Sequence, residues 1–248
     1  MKSKVTAIIQ ARMRSSRLPG KVFLPLAGKP VLWWMATRAS LAELVDDVVI
    51  ATTTDESNDI IWLYGNQNYD KFPATVYRYS GKEDDVMGRV LAAAKYMQTD
   101  IIVDLTADCP MMDPSHIDYL IDNLSNADYI SNDIVNRSWP DGLDIQVYKT
   151  NALKKCKKLF KPKQHCGWNI PQHPVEFHCL NWKAPDDMHW PELGLTLDTA
   201  RDYEFLSKLF ERFGHNPIFK VEDVIKYLRN NPKLITNKNV YRKTPEEG

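Results

Sequence analysis

Directly after the apolar run Val5-Thr6-Ala7-Ile8-Ile9 the chain reads QARMRSSRLPGK, which places Arg12, Arg14, Arg17 and Lys21 within ten residues of one another. Four cations so close repel each other unless an anion is expected there. Ser15, Ser16 and Gly20 keep the loop small and flexible, so backbone N–H groups can approach oxygen atoms, arginine forks can bind them bidentately, and lysine adds a point charge. That combination suits a polyphosphate. It is neither of the familiar glycine-rich phosphate loops, because G-x-x-x-x-G-K-[ST] and G-x-G-x-x-G are both absent. A solvated basic turn without a ligand is the competing reading from charge alone. Two aspartates are the other candidates for chemistry: Asp108 in TADCP and Asp198 in LTLDT. Hard carboxylate oxygens beside phosphates suit Mg2+, although an aspartate ahead of a helix is more often an N-cap.

Those residues need a scaffold, and the chain outlines one. Short apolar runs bounded by turn residues recur at 5–9, 45–52, 99–106 and 128–132. Segments of helical period lie between them at 30–43, 85–98 and 115–126. Alternation of this kind predicts βαβ units on a parallel sheet covered on both faces. Ligands of such sheets bind outside the carboxyl ends of the strands, where the basic loop and TADCP both fall. From about 133 to 192 the pattern changes: Trp139, Trp168, Trp182 and Trp190 and most of the histidines gather there. Beyond the helical 151–160 there is little clean period. This stretch reads as an insertion, partly β, that caps the cleft or makes a subunit contact. A strand-like LGLTLDT (193–199) then returns to the core, and two amphipathic helices follow. The expected organisation is one domain over 1–235 with the insertion, followed by a polar, mobile tail at 236–248.

At 248 residues with 44% hydrophobic composition the chain can bury one substantial core. Lysine plus arginine and aspartate plus glutamate are equal at 32 each, so no nucleic acid is implied as a partner. No stretch approaches a membrane span, and the apolar part of MKSKVTAIIQ is too short for a signal peptide, so a cytoplasmic protein is expected. The four cysteines are irregularly spaced, which argues for reduced thiols. Cys156, His165, Cys166, His173, His178 and Cys179 fall in one 24-residue stretch, but their gaps do not match zinc-ligand spacing.

The string IIQARMRSSRLPGKVFLPLAGKPVL resembles the signature loop of the nucleotide-sugar cytidylyltransferases, most closely the spore coat polysaccharide biosynthesis protein F branch. Further matches follow in order: GKEDDVMGRVLAAA, DLTADCPMMDPSHID, DYISN, PDGLDIQVY and LTLDTARDYEFL. The resemblance implies an α/β fold, a mostly parallel Rossmann-like sheet flanked by helices, of the nucleotidyltransferase or glycosyltransferase-A-like kind. It implies a Mg2+-dependent cytidylyltransferase that moves CMP from CTP to an anionic sugar of ulosonic-acid type, releases pyrophosphate, serves surface polysaccharide synthesis and forms a homodimer. On the matching positions, Arg12, Arg17, Lys21 and Asp108 carry the catalysis, and Asp108 and Asp198 hold the metal. Gln10, Ala11, Ser15, Ser16, Thr52, Thr53 and Arg89 join Arg12, Arg17 and Lys21 around the nucleotide. Asp141, Gly142, Asp144, Gln146 and His165 line the acceptor side.

Departures from the branch fall in two places. Arg14 stands where the family commonly has glycine, so its side chain must point away or add a phosphate contact. The R-E-H-V motif is replaced by Lys163-Gln164-His165-Cys166, and Gln146 stands where a glutamate is usual. The acceptor pocket is therefore where this chain is expected to differ. Two alternatives stay open: nucleotidyl transfer to a phosphosugar or phosphonate, and a nucleotide-binding protein that has lost the chemistry.

Overall fold

A computed structural model of the chain describes residues 2–68, 71–132, 137–161 and 165–241. Nine strands form among the described residues: β1 (Val5–Gln10), β2 (Pro25–Leu26), β3 (Lys29–Pro30), β4 (Asp47–Thr53), β5 (Thr75–Tyr79), β6 (Ile101–Thr106), β7 (Tyr129–Ser131), β8 (Gln146–Lys149) and β9 (Cys179–Asn181). The α-helices among the described residues are α1 (Val31–Ser40), α2 (Asp59–Gln67), α3 (Val86–Met97), α4 (Pro114–Leu124), α5 (Thr150–Leu159), α6 (Ala200–Phe213) and α7 (Val221–Asn230). The main sheet has the order β5-β4-β1-β6-β8-β7-β9, and β2 and β3 pair separately as a small hairpin. The sheet is parallel except at β8, which runs antiparallel to both β6 and β7.

Strand residues alternate between two apolar layers, as the pleat requires. Ala7, Ile9, Ile50, Val103 and Leu105 enter one core with α1 and α4 residues such as Met35, Ile117 and Leu120. Ile8, Val49, Ala51 and Ile102 enter the other, with Met87, Val90 and Ala93 of α3 and Leu153 and Cys156 of α5. A third core joins Trp34 of α1 to Phe205, Leu206, Leu209 and Phe210 of α6 and to Val224, Ile225 and Leu228 of α7. The double covering explains why β1, β4 and β6 are apolar nearly throughout.

The 133–192 stretch is partly β, as expected: it supplies β8 and β9 of the sheet, with α5 packed over one face. Among its described tryptophans, Trp139 is buried and Trp168, Trp182 and Trp190 are partly buried. Trp139 lies tilted against His116 and Trp182, Trp182 stacks on Tyr119, and Trp190 packs against the third core. LGLTLDT forms no strand. It is held by one isolated bridge, Asp141 to Gly194, and by a bond from the Leu197 amide to the Asp108 carbonyl at 2.8 Å. The tail begins docked: Asn237 is buried and donates to Gly194 O and Asp202 Oδ1, while 242–248 lie outside the described residues. No helix among the described residues is long and apolar enough to cross a membrane.

Candidate active site

β1 and β6 lie side by side, with Gln10 opposite Thr106, and the loops that leave their carboxyl ends wall a cleft of about 650 Å³. The first of these loops folds around one acceptor: the Met13 carbonyl takes the Gly20 amide at 2.9 Å and the Ser15 amide at 3.1 Å. Gly20 adopts φ 72°, a left-handed turn that glycine makes without strain, and the chain then enters a short 3-10 turn carrying Lys21. Lys21 Nζ lies 2.6 Å from Asp108 Oδ2 and 3.0 Å from Asp198 Oδ1. Arg17 reaches Asp198 Oδ2 at 2.9 Å, and Arg12 reaches Glu83 at 3.4 Å across the cleft.

The backbone explains why the two aspartates meet. Leu197 is bonded to the Asp108 carbonyl, so Asp198 is laid beside the β6 loop although it is ninety residues away. Neither aspartate is a helix cap. Asp113 caps α4 through the Ser115 amide, and Thr199 caps α6 in a reciprocal capping box with Asp202. Both carboxylates are thereby left to face the cleft. Burial alone would lower the Lys21 pKa, but the charges and hydrogen bonds of Asp108 and Asp198 outweigh it and hold the ammonium above its ordinary value. Burial likewise works to raise Asp108, and Lys21 reverses that and holds the carboxyl below the usual range.

The cleft gathers Gln10, Ala11, Arg12, Ser15, Ser16, Arg17, Lys21, Arg89, Asp108, Asp141, Asp144, His165 and Asp198. It does not gather four of the other residues expected there. Thr52 and Thr53 are buried, and Thr53 Oγ1 accepts from Asn58 Nδ2 at 2.8 Å instead of facing the cleft. Gly142 sits behind the wall, at φ 99°, where a Cβ would lie 2.5 Å from the backbone of Leu195. Gln146 accepts from Tyr129 OH at 3.2 Å beneath Gly167. Arg14 points away from the cleft and pairs with Asp55 at 3.2 Å, so it takes the outward of its two expected courses. Lys163 and Gln164 lie outside the described residues.

Three carboxylates in or behind the cleft wall escaped sequence reasoning. Glu83 and Asp84 line the cleft, Glu83 opposite Arg12; both lay inside a matched motif and carried no signal of their own. Asp104 is buried in the middle of β6. A charged residue within IIVDLT was the available signal, since a buried carboxylate needs partners. Its oxygens accept from Gln10 Nε2 at 2.6 Å and Tyr148 OH at 2.8 Å, and burial still pushes its pKa up to about 6.

The donor set suits a hard divalent cation. Asp108 and Asp198 present carboxylate oxygens to one point, and the Lys21 ammonium between them marks it as a place that demands positive charge. Among the described residues no three His, Cys, Asp or Glu side chains converge, so two carboxylates are what the protein offers. That number is usual for Mg2+, which completes its shell with water and phosphate oxygen. The four cysteines are unpaired.

A cytidylyltransferase family model matches residues 6–210. The chain is 30% identical over 243 residues to the spore coat polysaccharide biosynthesis protein SpsF of Bacillus subtilis, an alignment covering 93% of this chain and 96% of that protein. It is 34% identical over 118 residues to an 8-amino-3,8-dideoxy-manno-octulosonate cytidylyltransferase of Shewanella frigidimarina, covering 48% of this chain and 46% of the relative. Among solved structures, a cytidylyltransferase from Leptospira borgpetersenii superposes with a TM-score of 0.86 at 29% identity, covering 97% of this chain and all of that one.

Proposed function

The chain belongs to the cytidylyltransferase family, and on that premise we propose that it transfers CMP from CTP to an anionic sugar of ulosonic-acid type, releasing pyrophosphate, in surface polysaccharide synthesis. The observation that carries this reading is the cluster of Lys21, Arg17, Asp108 and Asp198 at the end of β1 and β6. It combines cations for a leaving pyrophosphate with carboxylates for a metal in one cleft.

In-line displacement at the α-phosphate leaves little covalent chemistry to the protein, so positioning and charge stabilisation carry the rate. Arg12, Arg17 and Lys21 bind the phosphate chain and offset charge that accumulates on the leaving oxygens. Ser15 and Ser16 and the loop amides add hydrogen bonds. Asp108 and Asp198 would hold Mg2+, which when bound neutralises phosphate charge and acidifies a coordinated hydroxyl. Each basic residue of the loop that lines the cleft is already matched by a carboxylate: Arg12 by Glu83, Arg17 by Asp198, and Lys21 by Asp108 and Asp198. A triphosphate therefore adds negative charge that the protein's cations do not offset alone, which supports a divalent requirement. Asp141, Asp144 and His165 form the wall on which the acceptor is oriented. The enzyme works in the cytoplasm, where CTP is available. It works as a homodimer joined through the 133–192 stretch, where Leu159 and Val175 expose apolar surface; a monomer in sedimentation at micromolar concentration would refute the dimer.

The reading is tested by pyrophosphate release with Mg2+ and each of CTP, UTP, ATP and GTP, against ulosonic acids, phosphosugars and phosphonates. Release with CTP and a ulosonic acid is expected, and Asp108→Asn should abolish it while leaving the fold intact. Release only with a phosphorylated acceptor would replace the acceptor class. No release, and no thermal shift with any nucleotide, would sink the reading.

A further inference from the structure

Behind the phosphate end of the cleft lies a hydrogen-bond chain that the transfer chemistry does not use. Asp104 accepts from Gln10 Nε2 and from Tyr148 OH, and Gln10 Oε1 faces Arg89 Nη2 at 3.4 Å. Both neighbours of the Gln10 amide dictate the same orientation. A carboxylate only accepts, so the amide nitrogen must turn to Asp104; a guanidinium only donates, so the amide oxygen must turn to Arg89. Arg89 is itself fixed, because Nη1 donates to the Glu83 carbonyl at 2.9 Å. Its buried Nε has no partner among the described residues, and both Gln10 and Arg89 line the cleft. The cleft wall thus carries an acceptor, Gln10 Oε1, next to a guanidinium donor, Arg89.

We infer that this pair reads the base, and that Asp104 is the positioning residue that sets its polarity. The inference rests on the cytidylyl-transfer reading. With the phosphates at Lys21 and Arg17 and the acceptor on the Asp141 and His165 wall, the flank of Gln10, Ala11, Val86 and Arg89 is left for the nucleoside. Cytosine offers an N3 acceptor beside an N4 amino donor, the complement of a donor next to an acceptor. Uracil offers N3–H and O4, the reverse, so it leaves buried polar groups facing like groups. If the Gln10 amide were turned over, two donors would face the base, the N4 amino group would meet another donor, and the preference for cytosine would be lost. Arg89 and Asp104 together prevent that, which gives a physical reason for burying a carboxylate at the middle of β6.

The test is titration calorimetry of the full chain with CTP and with UTP, in Mg2+ and without acceptor, for the wild type, Gln10→Met and Asp104→Asn. Gln10→Met removes the acceptor and should lower the CTP-over-UTP affinity ratio about tenfold. Asp104→Asn supplies an N–H that can pair with the turned amide, and should lower the ratio several-fold with an unchanged circular dichroism spectrum. A merely structural Asp104 would weaken both nucleotides equally, and a ratio that stays at the wild-type value in both folded variants overturns the inference. If Asp104→Asn does not fold, Gln10→Met alone decides. Wild-type protein that binds CTP and UTP equally also overturns it while leaving nucleotidyl transfer standing. Wild-type protein that binds neither overturns the transfer reading and this inference with it.

Discussion

Lys21→Met keeps most of the side chain's volume and removes its charge, and so tests the assignment of the Asp108 and Asp198 pair as a cation site. In the wild type one ammonium, with a side chain only 12% exposed, touches both carboxylates at 2.6 and 3.0 Å. Taking one partner from a fully buried ion pair costs about 3–5 kcal/mol. Here Arg17 remains on Asp198 and the Asp108 side chain keeps 23% of its exposure, so about 2 kcal/mol is expected. For a chain of this size that corresponds to a melting temperature lower by about 4–8 °C. Mg2+ should then compensate. At a hundredfold excess over its dissociation constant a ligand returns about 2.7 kcal/mol, so millimolar Mg2+ without nucleotide should restore most of the loss. In the wild type Lys21 competes for the same oxygens, and Mg2+ alone should shift melting little. The double variant Lys21→Met, Asp108→Asn should be more stable than Lys21→Met and should lose the Mg2+ response. Scanning calorimetry with and without Mg2+ measures all four quantities. Equal Mg2+ shifts in wild type and Lys21→Met, or a variant that melts with the wild type, would refute the idea that the ammonium stands where the metal binds.

Burial raises the Asp104 carboxyl from an ordinary 3.8 to about 6, so the native state holds its proton to higher pH than the unfolded chain. Its ionisation therefore costs stability as pH rises between about 4 and 6, and Asp104→Asn should gain about 2–3 kcal/mol on the wild type across that window in urea unfolding; parallel profiles would refute this. Arg89, Tyr148 and Cys166 face the same carboxyl and are present in both proteins, so the difference isolates Asp104. Gly142→Ala places a Cβ 2.5 Å from the Leu195 backbone at a positive φ, and should destabilise the fold by about 2 kcal/mol or more while weakening the Asp141–Gly194 bridge. Arg14→Gly removes a side chain that pairs with Asp55 outside the cleft, so CTP affinity by calorimetry should stay within about twofold; a larger loss would mean that Arg14 turns inward to the phosphates.

The elements that were legible in the chain are those whose signal is consecutive. β1, β4, β6, β7 and the helices that follow them each carry their own period, and their short connections leave little choice of neighbour. β8 carries no such clue to its place. It follows β7 in the chain yet lies between β7 and β6, running antiparallel to both, an order set by pairings far apart in sequence. LGLTLDT has a strand's composition but only one bridge partner, because its remaining amides are bonded to loops. The same division holds within the site. The basic loop is a local cluster of charge and could be read as such. Thr52 and Thr53 also stood at a strand end, but Asn58 takes the Thr53 hydroxyl and turns it from the cleft. Asp104 owes its role to Gln10, ninety-four residues away, and to Tyr148, forty-four away, so the orientation of one amide was not written in any local pattern. A buried carboxylate in an apolar strand marks that partners exist without naming them. The naming required the register of β1 and β6, in which Ile8 stands opposite Asp104 and Gln10 opposite Thr106. One-residue slippage of that register would send Asp104 to the opposite face of the sheet, among Val103 and Leu105, where no amide waits for it. The orientation of the Gln10 amide is therefore held by the same strand pairing that carries the basic loop and the Asp108 loop to one cleft.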